Sequence, residues 1–205
     1  MPNPTVRSYS SSYSTDGNHT VDKPAGLAVG DLLVWLVATR EFITVPTPEN
    51  FLVVYVSDHA YCFTKVADAD DVKASTFTLT NTDLHRLFVV LYAVQSAGAL
   101  EYCAAADTAF VTGFTPVSTG DLLLAFAAAD DSRTFHTTNN NPLWTSDASS
   151  GAWEIWSGCH ATYGTGPTGV ISTGDYSEQV IVVAVAPGGT LDTSDVDMFL
   201  DGMWG

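Results

Sequence analysis

Gly30-Asp31-Leu32-Leu33-Val34-Trp35-Leu36-Val37-Ala38 decides the fold, because it returns in the same chain as Gly120-Asp121-Leu122-Leu123-Leu124-Ala125-Phe126-Ala127-Ala128. In the first copy both alternating sets, Leu33, Trp35 and Val37 against Leu32, Val34 and Leu36, are apolar. Successive side chains of a strand point to opposite faces, so this strand is expected to be covered on both. The echo continues outward in the same order. Pro48 with Phe51 is answered by Pro142 with Trp144, and Tyr61 with Phe63 by Trp153 with Ile155. The apolar run 87–94 is answered by 180–186. A period of about 90 residues is too long for a solenoid unit of roughly 20 to 50, so the repeated unit is expected to be a half-domain or small domain of several strands.

Strand signals dominate the rest. Runs rich in Val, Ile, Thr, Tyr, Phe and Trp alternate with Gly, Pro, Asn, Asp and Ser clusters, and no window sustains an apolar helical period between caps. Strands are expected near 6–13, 31–39, 51–56, 60–66, 74–80 and 87–95, and again near 109–115, 121–129, 152–159, 168–173 and 178–186. Ala67 to Asp71, Asn81 to Asp83, Asp130 to Ser132, Thr137 to Pro142 and Gly164 to Pro167 read as turns or loops. The expected fold is all-β: a double-layer antiparallel β-sandwich of the jelly-roll kind, internally duplicated, with each half giving strands to both sheets. Two separate five-stranded domains are the alternative. The sandwich spans 1–187, with half-repeats of about 6–97 and 98–187.

After Pro187 the composition changes. Residues 188–205 carry four aspartates and no basic residue, and end in Met198-Phe199-Leu200 and Met203-Trp204. Five large apolar side chains in so short a stretch are poor composition for a solvated tail, so this reads as an extended arm whose Met198, Phe199, Leu200, Met203 and Trp204 bind a partner.

Charge limits the partners. The net charge is −16 with only seven basic residues, which repels phosphate backbones and anionic membrane surfaces and aids solubility. Neither nucleic acid nor a membrane is expected as a partner. The N-terminus lacks a basic region followed by an apolar stretch, so a soluble, non-exported chain is expected. The three cysteines, Cys62, Cys103 and Cys159, lack metal-ligand spacing and read as buried thiols.

Catalytic signatures are missing: no G-x-S-x-G, H-E-x-x-H, Walker loop or G-x-G-x-x-G occurs. His19, His59, His85, His136 and His160 never fall at i, i+2 or i, i+4, and read as solvent-exposed or turn residues. Asp70-Asp71 and Asp130-Asp131 lack calcium-loop spacing and read as solvated turn aspartates. Glu154, between Trp153 and Ile155, is a weak candidate for a sugar-site acid. Trp144, Trp153 and Trp156 are candidates for a glycan platform, against a plain role for Trp144 and Trp153 in the core. No catalytic residue, metal or cofactor is expected.

The pattern Pro24-Ala25-Gly26-Leu27-Ala28-Val29-Gly30-Asp31-Leu32-Leu33, then Pro48 with Phe51, then Tyr61 through Ala67, then Thr76-Phe77-Thr78-Leu79, resembles a group of tailed-bacteriophage virion proteins. Their usual text runs P-x-G-x-x-x-G-D-L-L, P-x-G-W, Y-x-K-V-A and T-F-T-L. Here Phe51 stands for the usual Trp and Asn50 for the glycine before it. The likeness covers roughly residues 6 to 187. It implies a β-sandwich accessory protein on the particle exterior, made in the host cytoplasm. A capsid decoration (cement) protein bridging major-capsid subunits is the leading expectation, with a homo-oligomer, a trimer by guess, as its form. A tail, baseplate or fibre structural protein and a glycan-binding receptor module are the alternatives.

Overall fold

In the computed structural model of the chain, residues 2–14, 18–39, 45–56, 60–80, 87–106, 122–129, 136–137, 145–150, 155–162, 171–172 and 179–188 are described. The first half contains β1 (Thr5–Ser14), β2 (Asn18–Asp22), β3 (Leu32–Thr39), β4 (Leu52–Val56), β5 (Ala60–Val66), a short helix α1 (Ala69–Lys73), β6 (Thr76–Thr80) and β7 (Leu87–Gln95). The second contains β8 (Ala97–Ala106), β9 (Leu122–Ala129), β10 (His136–Thr137), β11 (Thr145–Ser150), β12 (Ile155–Thr162), β13 (Ile171–Ser172) and β14 (Gln179–Pro187). The described residues thus fall mostly in antiparallel β-strands, with a single short helix among them.

One five-stranded sheet has the order β1-β7-β3-β5-β4 and the other β8-β14-β9-β12-β11, with β2-β6 and β10-β13 as separate pairs. Each half therefore keeps its five long strands in its own sheet, contrary to the expectation that each would contribute to both. Pairing within a half closes shorter loops, which costs less chain entropy than exchanging strands across the molecule.

Numbered in chain order, both sheets run first, fifth, second, fourth, third. They also share their irregularities. β1 bulges at Arg7, between the pairs Val6↔Val94 and Ser8↔Ala93, and β8 bulges at Glu101, between Leu100↔Val185 and Tyr102↔Ala184. β4 bulges at Val54, between Val53↔Phe63 and Tyr55↔Cys62, and β11 at Asp147, between Ser146↔Cys159 and Ala148↔Gly158. A bulge leaves one residue unpaired and bends its strand, so its position is a specific feature of a sheet.

This register revises part of the sequence echo. Tyr61 stands opposite Val37, and the place opposite the corresponding Ala127 is held by Ser157, not Trp153. The matched apolar strands likewise slip by one residue, Val89 corresponding to Val180. Phe51 and Trp144 keep their correspondence, each directly preceding a bulged edge strand.

The central strands β3 and β7 of the first sheet are buried on both faces, as the apolar character of both faces of β3 requires. Leu32, Val34, Leu36 and Ala38 share a core cluster with Phe88, Val90 and Tyr92 and with Leu122, Leu124, Val183 and Val185 from the second sheet. Leu33, Trp35 and Val37 face the other way, packed with Val21, Phe77 and Leu79 of the β2-β6 pair and with Leu27, Val45 and Phe51 from the loops. Each large apolar side chain so buried contributes roughly 1.5–3 kcal/mol before entropy is counted.

Several elements were not legible as strands. β2 is short, β8 reads Ala-Gly-Ala-Leu-Glu-Tyr-Cys-Ala-Ala-Ala, and β11 reads Thr-Ser-Asp-Ala-Ser-Ser, so pairing to a neighbour rather than propensity makes them strands. The strand expected at 109–115 and the arm 190–205 lie outside the described residues.

The chain passes from one sheet to the other at Ser96, a non-glycine residue with φ 56°. There the Gly188 N–H donates to the Ser96 carbonyl at 2.8 Å. A Cβ on Gly188 would collide with the Ala97 carbonyl oxygen and meet the Ser96 oxygen at 2.7 Å, both main-chain atoms that cannot rotate aside. Gly188→Ala is expected to cost about 1–3 kcal/mol, the scale of overpacking. Urea unfolding would measure it, and an unchanged midpoint would mean that the two strand ends part freely.

Candidate functional site

The Gly30-Asp31 pair, the most repeated feature of the sequence, forms a turn. Gly30 has φ 88°, a region side chains disfavour. Its N–H donates to the Ala67 carbonyl at 2.9 Å, and the Ala67 N–H donates back to the Asp31 carbonyl at 2.8 Å. The Asp31 carboxylate is buried and accepts three hydrogen bonds. Two come from Arg7, Nε at 2.7 Å and an Nη at 3.1 Å, and one from the Ala28 N–H at 2.9 Å. Arg7 is the bulged residue of β1, so the bulge aims the guanidinium at the turn that starts β3. The bidentate geometry is the strong form of the Arg–carboxylate pair.

The second cluster lies where β5 leaves the sheet. Asp68 caps α1, its carboxylate accepting from the Asp70 and Asp71 N–H groups, while the Asp71 carboxylate accepts from the Asp68 N–H. This reciprocal capping box explains a helix where the sequence suggested a turn: Asp68 and Asp71 have the required spacing, but the segment is too short to show an apolar period. Lys65 donates to Asp71 at 2.8 Å and lies 3.1 Å from an Asp68 oxygen. Asp71 is thus a buried, paired residue, which corrects the solvated-turn expectation for it. Asp70 is exposed and accepts from Lys73 at 3.0 Å.

The ionisation of this cluster follows its contacts. Burial pulls the Lys65 ammonium down, but hydrogen bonds and charge from Asp71 and Asp68 outweigh it and hold the group above its ordinary value. The Asp71 N–H, then Lys65 and the Asp70 N–H, hold the Asp68 carboxyl down at about 2. The support that ionised Asp68 gives is complete above the ordinary carboxylate range and lost as pH falls toward 2.

Between this cluster, residues 46–51 and β6 lies a groove of about 480 Å³. Trp35, Phe51 and Phe77 line it and meet edge to face, with ring centroids 5.4 Å apart for Trp35–Phe51, 6.4 Å for Trp35–Phe77 and 6.3 Å for Phe51–Phe77. Phe51 supplies an aromatic ring where the resembling proteins have Trp. Asn50, just before it, holds a left-handed turn at φ 64°, closed by the Phe51 N–H donating to the Pro48 carbonyl at 3.0 Å. Asn tolerates this conformation better than most residues. Sequence reasoning passed over this groove, because its walls come from three separate segments and its aromatic residues read as core.

Of the residues singled out from sequence, Met198, Phe199, Leu200, Met203 and Trp204 lie outside the described residues, as do Trp144, Trp153, Glu154, Asp130 and Asp131. Trp156 lies on β12, its backbone paired with Ala128 and Ser150. Cys62 is a buried thiol, as expected. His19 corrects the expectation of an exposed or turn histidine. It sits fully buried on β2, on the face it shares with Val21, because the strand alternates and its inward side covers the first sheet. Neither ring nitrogen has a hydrogen-bond partner. Burial pushes its pKa down, opposed by the Ser12 backbone, whose approach falls short of a well-formed hydrogen bond.

No family model matches the chain, and neither a curated protein nor a solved structure does.

Two outcomes follow from these geometries. Asp31→Asn weakens a buried, charge-assisted network whose arginine is partly screened by solvent, and should cost roughly 1–3 kcal/mol in chemical denaturation. Burial holds the His19 pKa in the fold below its ordinary value, so the stability His19 contributes is full above that value and declines as pH falls below it. Between pH 6.5 and 5 the unaltered chain should lose ground to His19→Leu by up to about 1.4 kcal/mol per pH unit. Parallel pH profiles of the two chains would contradict the assignment.

Proposed function

We propose that this chain is a non-enzymatic structural protein of a tailed-bacteriophage particle, and within that class a capsid decoration protein on the particle exterior that bridges major-capsid subunits. The observation that carries this reading is the work done by the residues of the resemblance. Gly30 and Asp31 close a turn, Lys65 ties down a capped helix, Phe51 joins a ring cluster, and Thr76 to Leu79 form a covering strand. A signature composed of folding devices suits a scaffold whose product is buried area between subunits.

The finer architecture belongs to the same proposal. Identical strand order and two bulges at corresponding register support an internally duplicated body. The cluster drawn from both five-stranded sheets supports a face-to-face sandwich. The charge of −16 suits a protein crowded at high local concentration.

In this reading Met198, Phe199, Leu200, Met203 and Trp204 are anchors that each bury on the order of 1.5–3 kcal/mol of apolar surface in a neighbour, less the cost of ordering the arm. Light scattering on a sizing column should give the mass of a homo-oligomer, a trimer by preference, for the intact chain. Phe199→Asp with Trp204→Asp should give folded monomers. Particles assembled without the chain should rupture at lower temperature and recover when it is added back. Oligomers unaffected by the paired substitution would remove the arm from assembly, and particles indifferent to the chain would remove the decoration role.

A further inference from the structure

The groove over Trp35, Phe51 and Phe77 is made of residues other than those of the arm, and we propose that it binds a neutral carbohydrate chain. Its volume of about 480 Å³ falls within the range of small-ligand sites, roughly 300–1,000 Å³. Its lining combines two chemistries. Phe51 and Phe77, each largely buried, leave a narrow strip of apolar ring surface at the base, while Thr47, Asn50, Thr76 and Thr78 stand around them with hydroxyl and amide groups. A sugar ring presents the complement of both, an aliphatic face and hydroxyl groups that donate and accept.

Trp35 adds an independent observation. It lines the same groove, is fully buried, and its indole N–H has no acceptor. Buried donors without partners are uncommon in folded proteins. The nitrogen is closed off from solvent, so a ligand hydroxyl would reach it once a neighbouring side chain moves aside. At the lip, Asn50 is held in the left-handed region by the Pro48 turn, so its amide is presented from a fixed backbone.

Charge decides between a neutral polyol and an ion. Of the four carboxylates of the lining, Asp68 and Asp71 are already held by Lys65 and Asp70 by Lys73, which reduces the pull on a free cation, while exposed Glu49 can accept from sugar hydroxyls. Anionic polysaccharides are repelled by the net charge of −16. The site uses residues different from Trp144, Trp153 and Trp156, and it stands whether or not the chain decorates a capsid.

The test is isothermal titration of the full chain with neutral hexasaccharides of α- and β-linked glucose, mannose and N-acetylglucosamine. Spermine and a polyglucuronate serve as charged probes. At least one neutral hexasaccharide should bind in the micromolar-to-millimolar range. Asn50→Gly, which removes the amide while easing the backbone, and Thr78→Val, on an exposed strand position, should each weaken that binding by about fivefold, the scale of one hydrogen bond. Both variants should keep the far-ultraviolet spectrum and the melting temperature of the unaltered chain. The proposal is overturned if no neutral sugar binds, if binding ignores both substitutions, or if spermine alone binds.

Discussion

Everything in this protein depends on burying both faces of β3. Its inner residues, apolar without a break from Leu32 to Ala38, cannot rest against water on either side. One face is covered by Leu122, Leu124, Val183 and Val185, and the other by the β2-β6 pair together with Leu27, Val45 and Phe51. The ion pairs are consequences of that demand. Covering a sheet with loops and a two-stranded flap needs attachments at its margins, and Arg7–Asp31 and Lys65–Asp71 supply them where β3 begins and β5 ends. Neither pair is an isolated surface contact, since each carboxylate also accepts a backbone N–H.

The central strands were legible because they follow the simplest physical rule, an unbroken apolar run between turn residues. Leu32–Thr39, Ala60–Val66 and Leu87–Gln95 fall within a residue or so of their expected places. β8 and β11 were not, since alanine, glycine and serine carry little strand preference and these edges exist by pairing. Which sheet a strand joins was also illegible. The same five apolar segments would fit either an exchange between halves or separate sheets, and pattern alone does not measure loop closure. The groove stayed hidden for a related reason. Phe51 and Phe77 are covered rings, and only the fold reveals that Thr47, Asn50 and Thr78 stand beside them.

The two halves share a scaffold but differ in how it is fastened. At the position of Arg7 the second half has Glu101, and at that of Lys65 it has Ala161. The cations that close the first half are therefore not repeated, although the Gly-Asp pair is retained at Gly120-Asp121. The two halves keep their hydrogen-bond register in common more strictly than their side-chain fastenings, since a bulge is fixed by two strands at once while a salt bridge needs only one substitution to vanish.

The face of the first sheet that carries Leu32, Val34, Leu36, Val90 and Val94 is closed by residues that the ribosome makes much later, Leu122 to Val185. All five strands of that sheet are complete by Gln95. At about 5–20 residues per second, the nascent sheet stands with one apolar side bare for on the order of ten seconds. The part made by then is the less acidic one, since residues 1–95 hold ten of the 23 acidic residues but six of the seven basic ones. Most of the chain's acidity therefore arrives together with the residues that cover the bare face.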